Sequence, residues 1–227
     1  MIYANNADDL FERSLKILLD NPTCECNANI SHEKLNVSMC LTDPTRNTMC
    51  NCTRKMPIRY AIGELLWYNS RNPKWNAIDI FSKFWKNISD DGETVNSNYG
   101  WCIHDKYDFD QWSYVKQLLE KDPNTRQAVI HIKEPRNVIN NPTKDLNCTL
   151  TLQFLIRDNK LHLITNMRSN DIWLGLPYDV FNFTCMQIQM AMELGVDVGN
   201  YYHNVGSFHM YARDYEKLKE TINVSNS

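Results

Sequence analysis

The sequence has no excess of positive charge. Its 24 Lys and Arg stand against 27 Asp and Glu, a formal net charge of −3. A duplex binder is expected to carry a basic footprint, so direct nucleic-acid binding is not expected here. Also missing is any apolar run near the ~20 residues of a membrane span. The first residues, MIYANNADDLFERS, are polar and acidic, unlike a signal peptide, and point to a reducing, cytoplasmic location. There is no internal repeat, low-complexity tract or domain linker. One domain over residues 1–227 is therefore expected, with a Cys- and Asn-rich part at 1–56.

What is present can fill a core. Hydrophobic residues make up 43 % of the chain, with six Trp and eleven Tyr. Five of the eight cysteines fall early, at Cys24, Cys26, Cys40, Cys50 and Cys52. Structural zinc usually takes a Cys-x2–4-Cys spacing, which the two Cys-x-Cys pairs do not offer. Reduced thiols are preferred and no metal is expected. In a reducing space, sequons such as those at Asn51, Asn147 and Asn182 reflect only a chain rich in Asn.

Apolar residues at 10, 11, 15, 18 and 19 have helical spacing behind an acidic first turn. Residues 35–43 read as a strand stopped by Asp43-Pro44. Pro57 opens a helix over IRYAIGELLWYNS. Helices are also expected over 75–87 and 111–121, with a loop at DDGETVNSNYG between them. AVIHIKEP alternates as a strand. LNCTLTLQFLIRD alternates with period two, with Leu150, Leu152 and Phe154 on one face, turns at Asp158-Asn159, and returns as KLHLITNMRS. A helix over 180–194 ends at Gly195, YYHNVGSFHMY is strand-like, and a short polar helix follows. Strands and helices mix without regular βαβ alternation, so the class is α+β.

Cys148 lies on the alternating strand, and Arg168 on its hairpin partner. A cysteine acts as a nucleophile only as thiolate, which a nearby guanidinium favours. A lone strand Cys is more often core, but its surroundings are polar. MRSND follows on the next strand, LGLPYD leads to Asp179, and His209 and Tyr211 project from one face of another strand. Asp179 alone could be a helix N-cap. Together, in this order, these residues suggest a site.

From about residue 57 to residue 215 the chain resembles the thymidylate synthase family, and within it the deoxycytidylate and cytidylate hydroxymethylase branch. The matching blocks are GELLWY, NSNYGW, DPNTR, NCTLTLQFLIRD, NMRSND, LGLPYD and NVGSFHMY, in family order. The resemblance implies a mixed sheet with packed helices and a homodimer formed through the sheet. It implies that Cys148 adds to C6 of a pyrimidine nucleotide and that 5,10-methylenetetrahydrofolate is co-substrate. Arg168 and Ser169 would hold the phosphate, and Arg126 would reach the partner's phosphate site. Glu64 would organise water and proton transfers. Tyr99 and Asp171 would assist at C5 and order the folate–water network. Trp85, Gly175 and Tyr178 would line the pterin site, and His209 and Tyr211 would bond the sugar.

Thymidylate synthases have Asn where this chain has Asp179. Cytosine offers an N4 amino donor and an unprotonated N3, which suit a carboxyl, whereas a carboxylate meets O4 of uracil lone pair to lone pair. Asp179 thus points to a cytidine nucleotide. Ile88 stands where a second indole would help exclude water, and the chain stops sixteen residues after Tyr211. Both favour water over hydride as the trap, hence a hydroxymethyl product, with dUMP methylation as the alternative. Gln127 beside Arg126, and CECNANISHEK in place of an Arg-rich loop, predict an altered phosphate site, with Arg46 or Lys34 as substitutes. A different class is an idle scaffold carrying a Cys-rich metal module for interactions.

Overall fold

The structure is a computed structural model describing residues 1–20, 23–26, 29–50, 54–133 and 143–225. Its elements run β1 (Ile2–Ala4), α1 (Ala7–Leu19), β2 (Thr23–Cys26), β3 (Asn29–Leu41), α2 (Ile58–Asn69), α3 (Phe84–Ile88), α4 (Tyr99–His104) and α5 (Gln111–Lys121). Then follow β4 (Val129–His131), β5 (Thr149–Arg157), β6 (Lys160–Asp171), α6 (Leu176–Leu194), β7 (Asp197–Tyr211) and α7 (Tyr215–Ser225). The strands form one mixed sheet in the order β1-β3-β7-β6-β5-β4, with β2 paired to β3. The class is α+β, as the lack of βαβ alternation indicates.

The β5–β6 hairpin is antiparallel and turns through Asp158 and Asn159, both at positive φ (51° and 57°). Asp and Asn tolerate that region, which a two-residue hairpin turn requires. β6 and β7 run parallel, so the long α6 crosses over between them. Gly195 ends α6 in the left-handed conformation, φ 67°. Leu152, Phe154, Leu161, Leu163 and Tyr201 point inward from the sheet against Val180, Phe183 and Met190 of α6, with Leu10, Leu15 and Leu18 of α1 alongside. Their burial drives the fold.

Two expectations change. The face shared by Leu150, Leu152 and Phe154 is interrupted by a register shift between Thr149 and Thr151. Thr149, Leu152 and Phe154 are buried while Leu150 is only partly so. An extra residue in one strand flips the alternation, and here it turns Thr149 inward. The helix expected over 75–87 is broken into a 3-10 turn at Trp75–Ala77 and the short α3. Ser82 Oγ accepts the Phe84 N–H at 3.2 Å, a local bond of the kind that competes with helix. Within AVIHIKEP the ladder with β5 spans Val129–His131, extended by the Phe154 N–H on the Ala128 carbonyl at 2.9 Å and the Ile132 N–H on the Leu150 carbonyl at 3.0 Å, while Glu134 and Pro135 lie outside the described residues.

Asp179 is not an N-cap. Gly175 caps α6, and Asp179 sits within the first turn with its side chain on Asn170. Residues 20–55 contain the β2–β3 hairpin, and β3 pairs with β7 from Ser31↔Tyr211 to Leu41↔Tyr201. Cys52 lies outside the described residues, Cys40 is buried and Cys50 exposed.

Candidate active site

Cys148 immediately precedes β5 and is partly buried. Arg168 on β6 holds this segment in place. Its backbone N–H donates to the Cys148 carbonyl at 2.9 Å, its Nε to the Asn147 carbonyl at 3.1 Å and its Nη2 to the Leu146 carbonyl at 2.7 Å. On the other side, Asp145 accepts from the Ser97 N–H at 2.8 Å and from the Ser97 hydroxyl. The backbone around Cys148 is thereby fixed from both flanks. Burial nevertheless pushes the Cys148 thiol above its ordinary pKa, opposed by the Arg168 charge and reinforced by Asp179 and Asp145.

Glu64 is buried on α2. Tyr60 donates to its Oε1 and Asn182 Nδ2 to its Oε2, each at 2.7 Å. Burial raises its pKa to about 7, and these donors hold it from going higher. Asp179 is raised to about 8, by burial first and by the Glu64 charge second. Two carboxyls poised near neutrality in one site can exchange protons at working pH.

An aromatic wall adjoins them. Trp85 Nε1 donates to the Tyr60 hydroxyl at 3.1 Å, and the rings of Tyr60 and Tyr178 meet edge-on at 4.8 Å. Tyr99 stacks between Tyr68 and Phe183, and its hydroxyl accepts from Thr149 Oγ1 at 3.0 Å. Gly100 lets α4 approach α2, since a Cβ there would stand 1.7 Å from the Tyr68 carbonyl oxygen.

The end of β6 lies beside β7, with Ser169 opposite Ser207 and Asp171 opposite His209. Asp171 Oδ1 accepts from Trp173 N at 2.8 Å and from Leu174 N, while its Oδ2 is buried without a hydrogen bond. Burial raises the Asp171 carboxyl pKa, and His209 opposes that. The His209 and Tyr211 rings meet at 5.2 Å, and Arg213 lies over the Tyr211 ring. Gly175 abuts Asn170 and Asp179. Arg126 is exposed on the loop after α5, where Gln153 donates to its carbonyl at 3.0 Å. Gln153 is five residues along β5 from Cys148, roughly 16 Å away. Arg46 donates to Asn5 Oδ1 at 2.7 Å, and Lys34 is exposed opposite Phe208.

Tyr60, Tyr68, Asp145, Asn170, Asn182 and His203 join these residues without standing out in the sequence. Tyr60, Glu64 and Tyr68 share one helical face at four-residue spacing, a signal that was available. Asn182, read as a sequon, is an interior donor to Glu64.

The thymidylate synthase family model matches residues 30–226. The chain belongs to the thymidylate synthase family. It is 35 % identical over 193 residues to the deoxyuridylate hydroxymethyltransferase of Bacillus phage SP01, covering 79 % of this chain and 50 % of that protein. The thymidylate synthase of Bacillus atrophaeus is 28 % identical over 175 residues, 74 % of this chain and 76 % of its own. The deoxycytidylate 5-hydroxymethyltransferase of Enterobacteria phage T4 is 29 % identical over 167 residues, 69 % and 68 % of the two chains. The solved thymidylate synthase A of Bacillus subtilis superposes with a TM-score of 0.79 at 22 % identity, covering 95 % of this chain and 83 % of that one. The chain thus spans half the length of the phage SP01 protein.

Proposed function

We propose that this chain is a folate-dependent hydroxymethylase acting on C5 of a cytidine monophosphate, dCMP or CMP. The observation that carries the choice of base is the Asp179 carboxyl, raised to about 8, where thymidylate synthases have an amide. A carboxyl near its pKa can accept from N4 of cytosine and share a proton with N3.

The site fits the pterin on two observations. Asp171 Oδ2 is buried and unpaired, and Trp85, Tyr60 and Tyr178 form an aromatic wall. Trp85, Tyr178, Gly175 and Asp171 would hold 5,10-methylenetetrahydrofolate, which supplies the one-carbon unit.

Cys148 loses its thiol proton to solvent, helped by the Arg168 charge; its Sγ then bonds C6 of the base, and the C5=C6 electron pair moves to C5, which would take the one-carbon unit. Protonation at the base edge by Asp179 offsets the developing charge. Tyr99, its hydroxyl held by Thr149, stands by to relay the proton lost from C5. Cleavage of the bond to the carrier leaves an exocyclic methylene on C5. Glu64, held by Tyr60 and Asn182, takes a proton from water as its oxygen bonds that methylene. The base edge returns its proton to Asp179, electrons return to C5=C6, the C6–S bond breaks, and Cys148 leaves as thiolate and takes up a proton again. Arg168 and Ser169 would bind the phosphate and His209 and Tyr211 the sugar. Ile88 at the place of a second indole supports water as the trap.

A homodimer through the sheet belongs to this reading. The face away from α6 keeps Gln153, Leu155, Ile164, Asn166 and Tyr202 partly exposed, and a partner there would bring Arg126 to the opposite phosphate.

The phage SP01 relative favours a second reading, the same chemistry on dUMP. Incubation with dCMP, CMP or dUMP plus methylenetetrahydrofolate, followed by product mass, separates them. Gain of CH2O on a cytidine nucleotide is expected. Turnover of dUMP alone would overturn the choice of base, and gain of CH2 alone the choice of trap.

A further inference from the structure

Behind Asp179 stands a line of three buried side chains that the chemistry above does not use. Asn170 Nδ2 donates to Asp179 Oδ2 at 2.7 Å, His203 Nε2 lies 3.0 Å from Asn170 Oδ1, and the Tyr201 hydroxyl lies 2.7 Å from His203 Nδ1. Tyr201 and His203 are wholly buried and Asn170 almost so. His203 and Tyr201 come from one face of β7, Asn170 from β6 and Asp179 from α6.

An Asn amide has one donating and one accepting end, so the bond at one end dictates the other. With Nδ2 given to the carboxyl, Oδ1 must accept, and His203 must offer Nε2–H. Burial drives the His203 pKa down to about 3, so the ring is neutral and has a single N–H. Nδ1 then accepts from the Tyr201 hydroxyl, and every bond in the line runs one way, toward Asp179 Oδ2. Gly175 leaves the room this needs, since a Cβ there would lie 2.7 Å from Asn170 Nδ2 and 3.3 Å from Asp179 Oδ2.

An oxygen that accepts from Asn170 is the unfavoured seat for the carboxyl proton, which leaves Oδ1. Along the base edge, cytosine accepts at N3 and donates at position 4, whereas uracil donates at N3 and accepts at position 4. A carboxyl free to carry its proton on either oxygen matches both orders. One with the proton pinned matches a single order. We propose that Asn170, His203 and Tyr201 are positioning residues that pin the Asp179 proton to Oδ1 and thereby fix which pyrimidine the site accepts. This rests on the reading of Asp179 as the residue facing the base.

The titratable groups within electrostatic reach of Asp179 are Glu64 and Tyr68 on α2, Tyr99 on α4, Cys148 before β5 and Tyr201 at the far end of the line on β7. Replacing His203 leaves all of them in place. The test follows the Asp179 carboxyl by 13C NMR in the free protein, and the ratio of kcat/KM for dCMP and dUMP. Wild type is compared with His203→Leu, His203→Gln and Asn170→Ala, and Asp179→Asn assigns the resonance. His203→Leu frees the amide and Asn170→Ala deletes it. Each should raise the Asp179 midpoint by about one pH unit and cut the base preference about tenfold. His203→Gln keeps an N–H near the place of Nε2 and should retain both. If His203 only fills space, Leu lowers Tm with titration and preference unchanged, which overturns the proposal. Should His203→Leu fail to fold, Asn170→Ala decides alone. A preference unmoved by Asp179→Asn would overturn the base-reading role itself. One moved by Asp179→Asn but not by Asn170→Ala overturns the relay alone.

Discussion

Arg168 holds Cys148 by the backbone before it acts on the thiol. Its N–H takes the Cys148 carbonyl at 2.9 Å, and its guanidinium takes the carbonyls of Asn147 and Leu146. Arg168→Lys keeps the charge but cannot form this fork. It should lower kcat/KM about a hundredfold, as expected when a nucleophile loses its orientation. Arg168→Ala also removes the charge that favours thiolate, so the pH midpoint for Cys148 alkylation should move further up. Alkylation rate against pH, read on the Cys148 peptide, checks both.

Glu64 and Asp179 should make the fold less stable as pH rises. In the unfolded chain their pKa values return to about 4, whereas folded they stand at about 7 and about 8. Between those limits the folded chain binds more protons, so stability falls as pH climbs from the unfolded values through the folded ones. Glu64→Gln and Asp179→Asn should therefore raise Tm relative to wild type at pH 9, by roughly 2–5 °C each. The gap should close below pH 4. Asn182 Oδ1 is buried without a hydrogen bond, so an amide flip can accept from the new Gln. Calorimetry across pH measures this, and both variants should lose activity.

Tyr60 joins Glu64 to Trp85 through one hydroxyl. Tyr60→Phe removes a donor that stabilises ionised Glu64, so the Glu64 midpoint should rise above 7. It also leaves the Trp85 indole N–H unpaired, at a cost of about 1–3 kcal/mol. The pH profile of kcat should shift upward, and Trp fluorescence together with denaturant unfolding should report the second effect.

The β5–β6 hairpin, α6 and its Gly195 stop were legible because period, turn chemistry and capping are local. So was Cys148 beside Arg168, since the hairpin register brings them together. Asn170 and His203 were not, because they meet only where β6 and β7 pair in parallel across the whole of α6. Tyr60 was hidden in a helix that reads as plain core until the Glu64 hydrogen bond is seen. The bulge at Thr149 left no mark in an otherwise regular alternation, yet it turns Thr149 toward Tyr99.

The proposed bond from Cys148 to C6 of a cytidine nucleotide can be trapped directly. A 5-fluoro base cannot lose its C5 substituent as a proton is lost, so the adduct should persist. The protein is incubated with 5-fluoro-dCMP and methylenetetrahydrofolate, digested, and the peptides weighed. Nucleotide and one-carbon carrier are expected together on the peptide holding Cys148, and neither in Cys148→Ser. An adduct on another residue, or one formed with 5-fluoro-dUMP and not with the cytidine analogue, would contradict it.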